Sequence, residues 1–300
     1  MRQLPSWAVA MILLTLAACQ SRTSGPEVGG SATGSSAPLL AGDPVPRSCS
    51  SPRRVRVAAA ADLRFAMPEL IAAFRKTSPD IAVEPTFGAS GSLVAQIENG
   101  LPVDVFLCAD ESYPEQLVQH GLAEAGDFFR YARGHLVLWV PADSPRPVES
   151  AGIALLRQHD IRRLAIANPR TAPYGRAALA LLEKLQLAEA YRDRLLLADN
   201  VVQAWQFAQS GNADAALISK SLALGVPADK AGRWFEIPPH LYPPIVQGGV
   251  ILRQASDRQA AEQWRDFLLS PSGQKILARY GFTPPHLEPM GSSANREKAR

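Results

Sequence analysis

Cysteine and histidine are scarce in this sequence of 300 residues. It contains three cysteines and five histidines, and they form no cluster with the spacing of a zinc site. The histidines also lack the spacing of a catalytic triad, and the sequence has neither a G-x-S-x-G motif nor a P-loop. We therefore expect no structural metal and no enzyme, with a hydrolase as the alternative.

Strong charge of one sign is also missing. The formal net charge is +3, and no stripe of Lys and Arg alternates with aromatic side chains, so nucleic acid is not an expected partner. The apolar stretch at residues 7–16 is too short to cross a bilayer. The chain is nevertheless 47% apolar, which is enough for one large core or two modest lobes.

The first residues have the pattern of an export signal. Arg2 precedes the apolar residues 7–16, which have the length of a signal-peptide core. Residues 16–19, LAAC, resemble the lipobox of bacterial lipoproteins, in which the signal is cut before the cysteine and the cysteine is acylated. We predict a signal peptide over residues 1–18 and a lasting lipid anchor at Cys19, because several acyl chains bind a membrane more firmly than one. A plain secretory signal is the alternative.

Two polar segments flank the part that can fold. Residues 19–51 are rich in Gly, Ser, Pro and Ala and have almost no apolar period. Such a segment cannot bury enough apolar surface to fold, so we expect a flexible, lipid-anchored tether. Residues 286–300 are predicted to form a polar tail at the other end.

Cys49 and Cys108 remain if Cys19 carries lipid. Cys108 closes an apolar run, whereas Cys49 lies several residues before the first predicted strand. If the two strands are parallel neighbours, these cysteines lie toward opposite ends of the sheet, beyond the ~7 Å between Cα atoms that a disulfide tolerates. We therefore expect them to be unpaired, with a disulfide as the alternative.

Short apolar runs alternate with helical patterns from residue 54 onward. VRVAAAA at 55–61 predicts a strand, and apolar residues then recur at helical spacing. The alternation continues to VDVFLCA at 103–109, which indicates a parallel sheet covered by helices. A second series of the same kind follows the strand GHLVLWVP at 134–141. Ligands of such sheets bind outside the carboxyl ends of the strands, near helix N-termini.

Two such series with a late returning strand predict two lobes and a cleft between them. We place the two crossings near residues 131–134 and 245–248. Lobe I then comprises residues 52–132 and 247–285, and lobe II comprises residues 133–246. A single larger sheet is the alternative.

The turn FGASGSLVAQI at 87–97 is a candidate anion site. Its small residues let backbone N–H groups approach a ligand, the helix start leaves amides free, and the hydroxyls can donate as well. Ser90 is the residue of interest in this turn. Plain N-capping by Ser90 or Ser92 is the alternative.

Two turns of the second series have similar chemistry. Tyr174 opens a helix after Pro173, so it can offer its amide or its hydroxyl to a ligand, with a packed aromatic ring as the alternative. Asn200 is expected to cap the next helix. The amides of Val201 and Val202 would then remain available.

Five stretches together carry a resemblance. They are AAAADLRFAMPELIAAFRK at 58–76, FGASGSLVAQIENGLPVDVFLCAD at 87–110, NPRTAPYGRAAL at 168–179, VVQAWQFAQSGNADAAL at 201–217 and PIVQGGVIL at 244–252. In consistent order over residues 55–282, they resemble the molybdate-binding proteins of bacterial ABC importers.

The resemblance implies an α/β fold of the type II periplasmic binding protein class. Each lobe is then a mixed sheet flanked by helices, and the ligand lies in the inter-lobe cleft. The implied protein is a monomer that needs no cofactor, binds molybdate or tungstate, and passes it to the importer's permease and ATPase. It lies on the periplasmic or cell-surface side of a bacterial membrane. Phosphate or sulfate is the alternative ligand, and an extracytoplasmic hydrolase is the alternative function.

The resemblance also implies a set of ligand contacts. The family holds a tetrahedral oxyanion by hydroxyls and backbone amides, without a neutralising cation. Its contact positions correspond here to Asp62, Ser90, Tyr174 and Val201. Some members use a further tyrosine near Ser219, which this chain lacks.

Asp62 departs from the family pattern of Ser, Thr or Asn, because an ionised carboxylate only accepts hydrogen bonds. Two unit charges ~4 Å apart repel by about 4 kcal/mol at an effective dielectric of ~20. Four explanations are open. Asp62 caps a helix through the amides of Arg64 or Phe65, or it is protonated and donates. Otherwise it binds the metal centre of the anion directly, or the guest carries its own proton, as phosphate does.

Overall fold

The structure is a computed structural model that describes residues 53–158 and 160–285. The predicted signal peptide, tether, lipid anchor at Cys19 and polar tail lie outside these residues, as does Cys49. Cys108 lies within them and is fully buried, and its thiol donates to the carbonyls of Asp110 and Gly248 at 3.0 and 3.3 Å. The pairing state of the two cysteines therefore stays a prediction.

Strands and helices alternate along the described residues. The strands are β1 Arg53–Ala60, β2 Ile81–Gly88, β3 Val105–Cys108, β4 Ala123–Gly134, β5 Leu136–Pro141, β6 Leu164–Ala167, β7 Leu195–Ala198, β8 Ala215–Ser219, β9 Gly232–Glu236 and β10 Ile245–Leu252. The α-helices are α1 Met67–Thr77, α2 Ser90–Glu98, α3 Ser112–Gln119, α4 Val148–Ala151, α5 Pro173–Lys184, α6 Ala188–Tyr191, α7 Val201–Gln209, α8 Lys220–Gly225, α9 Arg258–Leu269 and α10 Pro271–Arg279. Short 3-10 turns are Ala61–Leu63, Gly152–Arg157, Ala228–Lys230 and Pro239–Leu241.

The first sheet has the strand order β2-β1-β3-β10-β4. β1 is parallel to β2 and β3, whereas β10 is antiparallel to β3 and β4. α1, α9 and α10 cover one face, where the rings of Phe74 and Trp264 meet edge to face with centroids 5.2 Å apart. α2 and α3 cover the other face through Leu93 and Leu117. Burial on both faces explains why the central strands are continuous apolar runs.

The second sheet repeats this plan with the order β7-β6-β8-β5-β9. β6 is parallel to β7 and β8, and β5 runs antiparallel between β8 and β9. Trp139 of β5 is fully buried and meets Trp205 of α7 edge to face, with ring centroids 6.5 Å apart. In each sheet one strand runs opposite to the other four, namely β10 in the first sheet and β5 in the second. Each of these strands is the one that the chain enters directly after a crossing. Two mixed sheets flanked by helices confirm the type II fold and rule out a single larger sheet.

Two crossings join the sheets. β4 ends at Gly134 and β5 begins at Leu136, so His135 alone separates the two strands. The return crossing at 237–244 contains four of the chain's prolines, namely Pro238, Pro239, Pro243 and Pro244. Ile245 pairs with Gly134 inside the first sheet. The strand bounds therefore differ by two residues from the lobe boundaries drawn from the sequence.

The topology directs the starts of several helices into the space between the sheets. β1 runs into the 3-10 turn Ala61–Leu63, and α1 follows with proline in its first turn. β2 leads into α2, β6 into α5 and β7 into α7. The carboxyl ends of strands from both lobes therefore face one cleft, which is the usual ligand position in open α/β sheets.

Gly175 lets α5 approach the end of β6. A Cβ at this position would lie 2.2 Å from the carbonyl oxygen of Ala167, a backbone atom that has little freedom to move. We expect Gly175→Ala to lower the free energy of unfolding by about 1–3 kcal/mol and to displace Tyr174. Gly126→Ala is the control, because no atom lies within 4 Å of the added methyl group. Equal urea midpoints for the two variants would contradict this account.

Candidate functional site

A small cavity between the lobes brings all four predicted contact residues together. Asp62 and Ser90 line it from the first lobe, and Tyr174 and Val201 line it from the second. Several alanines and Gly88 complete the wall, so its lining is mostly small. The volume open to the centre of a water molecule is about 10 Å³. This is about the room that one bound water molecule needs, so the lobes are tightly closed around the site.

Ser90 is the first residue of α2, and its hydroxyl retains a free donor. The N-cap of α2 is Ala89, and no side chain caps this helix start, so the N-capping alternative is wrong for Ser90. The Ser90 hydroxyl oxygen accepts a hydrogen bond from the Ala109 N–H at 3.1 Å. Because a hydroxyl can donate and accept at once, its own hydrogen remains available to a guest.

Val201 is the first residue of α7 and leaves its amide free for the cavity. Asn200 caps the helix, as predicted, and its side-chain oxygen accepts from the amides of Val202 and Gln203 at 3.0 and 3.2 Å. The expectation that the Val202 amide is also available is therefore wrong. The Val201 amide precedes the first helical hydrogen bond, where the helix supplies no acceptor.

Tyr174 lies at the start of α5, and its side chain is almost completely buried. The Gln247 side-chain amide donates to its hydroxyl oxygen at 3.4 Å. Gly134 at the end of β4 leaves room for this hydroxyl, since a Cβ there would lie 2.1 Å from the hydroxyl oxygen. Burial and the neighbouring Asp62 raise the pKa of Tyr174 well above its usual value, so its hydroxyl stays a donor.

Asp62 is 1% exposed, and its carboxyl belongs to a buried hydrogen-bond network. The Gln247 amide nitrogen Nε2 donates to Asp62 Oδ2 at 2.7 Å, and Tyr131 donates to Gln247 Oε1 at 2.8 Å. Asp62 Oδ1 has no hydrogen-bond partner in the described residues. The Arg64 amide donates to the Ala61 carbonyl instead. The carboxyl receives no hydrogen bond from Arg64 or Phe65 in this part of the chain, so the capping explanation is wrong.

A β-bulge in β4 positions the side chains that hydrogen-bond to the Asp62 carboxyl. Gln247 of β10 pairs with Ala132, whereas the next residue, Gly248, pairs with Arg130, so Tyr131 is the extra residue of β4. Bulges redirect side chains next to binding sites. Here the bulge brings the Tyr131 hydroxyl to the Gln247 side chain.

Sequence reasoning missed Gln247, Tyr131 and Ser221. The hydroxyl of Ser221, on α8 of the second lobe, donates to the main-chain carbonyl of Asp62 at 2.7 Å. Only Gln247 left a signal that was overlooked, because a lone glutamine inside the apolar run PIVQGGVIL has to find buried partners.

Further contacts hold the lobes together around the cavity. The Gly91 amide donates to the Thr171 carbonyl at 2.9 Å. At the rim, Arg176 of α5 forms an ion pair with Asp110 and donates to the Tyr113 hydroxyl at 3.0 Å. These bonds join residues of both lobes, so the structure shows the closed arrangement.

The cavity wall contains a carboxyl whose charge no neighbouring cation offsets in the described residues. Among the described residues, no Lys, Arg or His side chain lines it. Within the same residues, no cluster of three His, Cys, Asp or Glu could hold a metal ion.

No helix in residues 53–158 and 160–285 is long and apolar enough to span a bilayer.

The buried carboxyl predicts a pH-dependent stability. Burial raises the pKa of Asp62 from 3.8 to about 6, against the opposing hydrogen bond from Gln247. Because the folded-state pKa exceeds the unfolded one, the contribution of Asp62 to stability is present below about pH 4 and is lost as the pH rises through about 6.

Asp62→Asn removes this titration. At ~1.4 kcal/mol per pKa unit, the variant should gain about 3 kcal/mol of unfolding free energy over the wild type between about pH 4 and pH 8. Urea unfolding of both ligand-free proteins across this range measures the gain. A difference that does not change with pH would contradict the account.

Comparison with known proteins is consistent with this architecture. A family model described as "Bacterial extracellular solute-binding protein" matches residues 55–283. The molybdate-binding protein ModA of Azotobacter vinelandii is 37% identical over 228 residues, which are 76% of this chain and 89% of that protein. ModA of Rhodobacter capsulatus is 37% identical over 196 residues, which are 65% of this chain and 75% of the relative.

A solved structure shows the same likeness. The periplasmic molybdate-binding protein of Azotobacter vinelandii superposes with a TM-score of 0.71 at 32% identity, over 77% of this chain and 99% of that chain. The fold, the cleft and the sequence likeness over most of the chain agree. The chain therefore belongs to the family of bacterial extracellular solute-binding proteins that includes the molybdate-binding protein ModA.

Proposed function

We propose that this protein captures molybdate outside the cytoplasm for an ABC importer. One observation carries the proposal: Asp62, Ser90, Tyr174 and Val201 converge on one small cavity between two lobes, with no cation in its wall among the described residues. The names of the relatives described above support molybdate as the guest. Tungstate, a tetrahedral anion of the same charge, belongs to the proposal.

The available donors suit a tetrahedral dianion. The hydroxyls of Ser90 and Tyr174 and the amide of Val201 each offer one hydrogen bond. The first turns of α2 and α7 also point positive ends of their helix dipoles toward the cleft, which favours an anion there. These contacts stabilise the charge of the guest by hydrogen bonding, and the proposal includes no cofactor or counter-ion.

Capture couples to lobe closure. An anion that contacts Ser90 on one lobe and Val201 on the other has more partners in the closed form, and so shifts the equilibrium toward it. The closed form then docks on a membrane permease, where an ATPase drives import. We propose that the protein acts in this way as a monomer.

The described residues favour binding over hydrolysis. The Ser90 hydroxyl accepts from a backbone amide, and no histidine lines the cavity to act as its base in the described part of the chain. The protein in this proposal is therefore not an enzyme. Phosphate or sulfate as the physiological guest is the alternative.

The location follows from the N-terminal sequence. The signal pattern of residues 1–18 and the cysteine at position 19 support export followed by acylation. We propose that Cys19 anchors the protein on the outer side of a bacterial membrane, with residues 19–51 as the link to the folded lobes.

Titration calorimetry tests the choice of anion. The purified protein, stripped of ligand by unfolding and refolding, is titrated with molybdate, tungstate, sulfate and phosphate at about pH 7. Molybdate and tungstate should bind at least about tenfold more tightly than the other two, a difference of about 1.4 kcal/mol. Strong phosphate binding without a response to molybdate would refute the molybdate assignment.

The Val201 amide can be removed without breaking the helix. Proline is accepted at the first helical position, and Asn200 before it has an extended backbone at φ −152° and ψ 176°, as a residue before proline prefers. A hydrogen bond to a charged group contributes about 1.5–3 kcal/mol, so Val201→Pro should weaken molybdate binding by about 10- to 100-fold. Val201→Ala keeps the amide and is the matched control. Similar dissociation constants for both variants would exclude this contact.

A further inference from the structure

The orientation of Gln247 determines which Asp62 oxygen can carry a proton. Tyr131 donates to Gln247 Oε1, so the NH₂ end of this side chain faces Asp62 and donates to Oδ2 at 2.7 Å. Oδ2 is thereby committed as an acceptor. Asp62 lines the cavity, and its other oxygen, Oδ1, is buried without a hydrogen-bond partner in the described residues. A proton on this carboxyl therefore resides on Oδ1, where it can be donated to a guest.

In the part of the chain that the structure describes, no positive charge near Asp62 favours its ionised form. The titratable groups that face it are Cys108 from β3, Tyr131 from β4 and Tyr174 from α5, and burial raises the pKa of each. All three are therefore neutral at physiological pH. The α7 helix, which packs against the 3-10 turn of Asp62, has no titratable side chain.

Two basic groups on adjoining elements lie beside Glu236. Lys220 of α8 donates to Glu236 at 2.6 Å, and the ring of His135 lies 3.4 Å from the same carboxylate. The remaining partner from α8 is the Ser221 hydroxyl, which bonds to the Asp62 main chain and not to its carboxyl. An ionised Asp62 would therefore face a bound dianion with no charge to offset the repulsion.

We propose that Asp62 binds the oxyanion as a neutral carboxylic acid that donates a hydrogen bond from Oδ1, so that capture of a dianion takes up one proton. The inference rests on the proposed oxyanion function and adds its proton coupling. The proton comes from solvent and adds to the carboxylate, and no bond of the anion breaks.

The empty site is already close to this state. Burial, partly opposed by the hydrogen bond from Gln247, raises the pKa of Asp62 to about 6 in the empty site, and a dianion beside the carboxyl raises it further. Below about pH 6 the free protein is protonated and binding takes up no proton. Above it, affinity for a fully deprotonated anion falls by up to about tenfold per pH unit, until the pH reaches the pKa of the complex.

The coupling also selects among anions. Molybdate, tungstate and sulfate carry no hydrogen at neutral pH, so each requires the protonated carboxyl. Hydrogen phosphate carries its own proton and can donate it to an ionised Asp62. The site should therefore discriminate most strongly against phosphate at low pH and least strongly at high pH.

Calorimetry with molybdate directly measures the proton uptake that accompanies binding. Titrations at about pH 8 in two buffers of different ionisation enthalpy give the number of protons taken up per anion. We expect about one proton at pH 8 and about one half at pH 6, with weaker binding at pH 8. Tight binding at pH 8 without proton uptake would overturn the proposal.

Asp62→Asn tests the identity of the proton acceptor. The asparagine oxygen can accept from Gln247 and its NH₂ group can donate to the guest, which reproduces the protonated carboxyl without titration. This variant should show no proton uptake, a dissociation constant independent of pH, and tighter binding than the wild type at pH 8. Proton uptake that persists in Asp62→Asn would assign it to another group and contradict the inference.

Asp127→Asn is the matched control. Asp127 is a buried aspartate of β4 whose carboxylate accepts from Arg258 at 3.0 Å, and it does not line the cavity. The Asp127→Asn variant should take up as many protons on binding molybdate as the wild type does. The proton uptake of the wild type tests the proposal by itself, even if a variant does not fold. Absence of molybdate binding at every pH would refute the proposed function itself, and with it the proton coupling.

Discussion

The burial of a carboxyl at the junction of two lobes is the constraint on which the site depends. A buried acid without a cation requires hydrogen bonds, and Gln247 supplies one from 185 residues away in sequence. The Tyr131 bulge orients that glutamine, and Gly134 leaves space for the hydroxyl of Tyr174. The main chain of Asp62 bonds to the other lobe through Ser221. One residue therefore links the strand ends, the crossing and the cavity.

The central strands could be predicted from the sequence because they are buried on both faces and read as apolar runs. β4 and β9 could not. β4, Ala123–Gly134, mixes buried and exposed positions and contains a bulge, which interrupts the alternation expected of a strand. β9, Gly232–Glu236, is half-buried along its whole length. Both are sheet edges, where one side of the strand has no partner and the apolar signal is correspondingly weak.

The positions of the site residues could be predicted, but their chemistry could not. Turn composition and family likeness located Ser90, Tyr174 and Val201, because local sequence determines where a helix starts. The same local reasoning offered a capping role for Asp62, which the structure excludes. Its carboxyl instead bonds to Gln247, which is brought near only by the pairing of β10 in the first sheet. Such a contact depends on the complete topology and leaves no local pattern.

The prolines of the return crossing have a consequence for the movement of the lobes. Each proline holds its own φ near −65° and restricts the residue before it, so residues 237–244 behave as a stiff strap beside the single-residue crossing at His135. The open form then has few conformations to lose on closing. Ordering therefore costs little conformational entropy, and a guest as small as a tetrahedral anion can hold two lobes together with only a few hydrogen bonds.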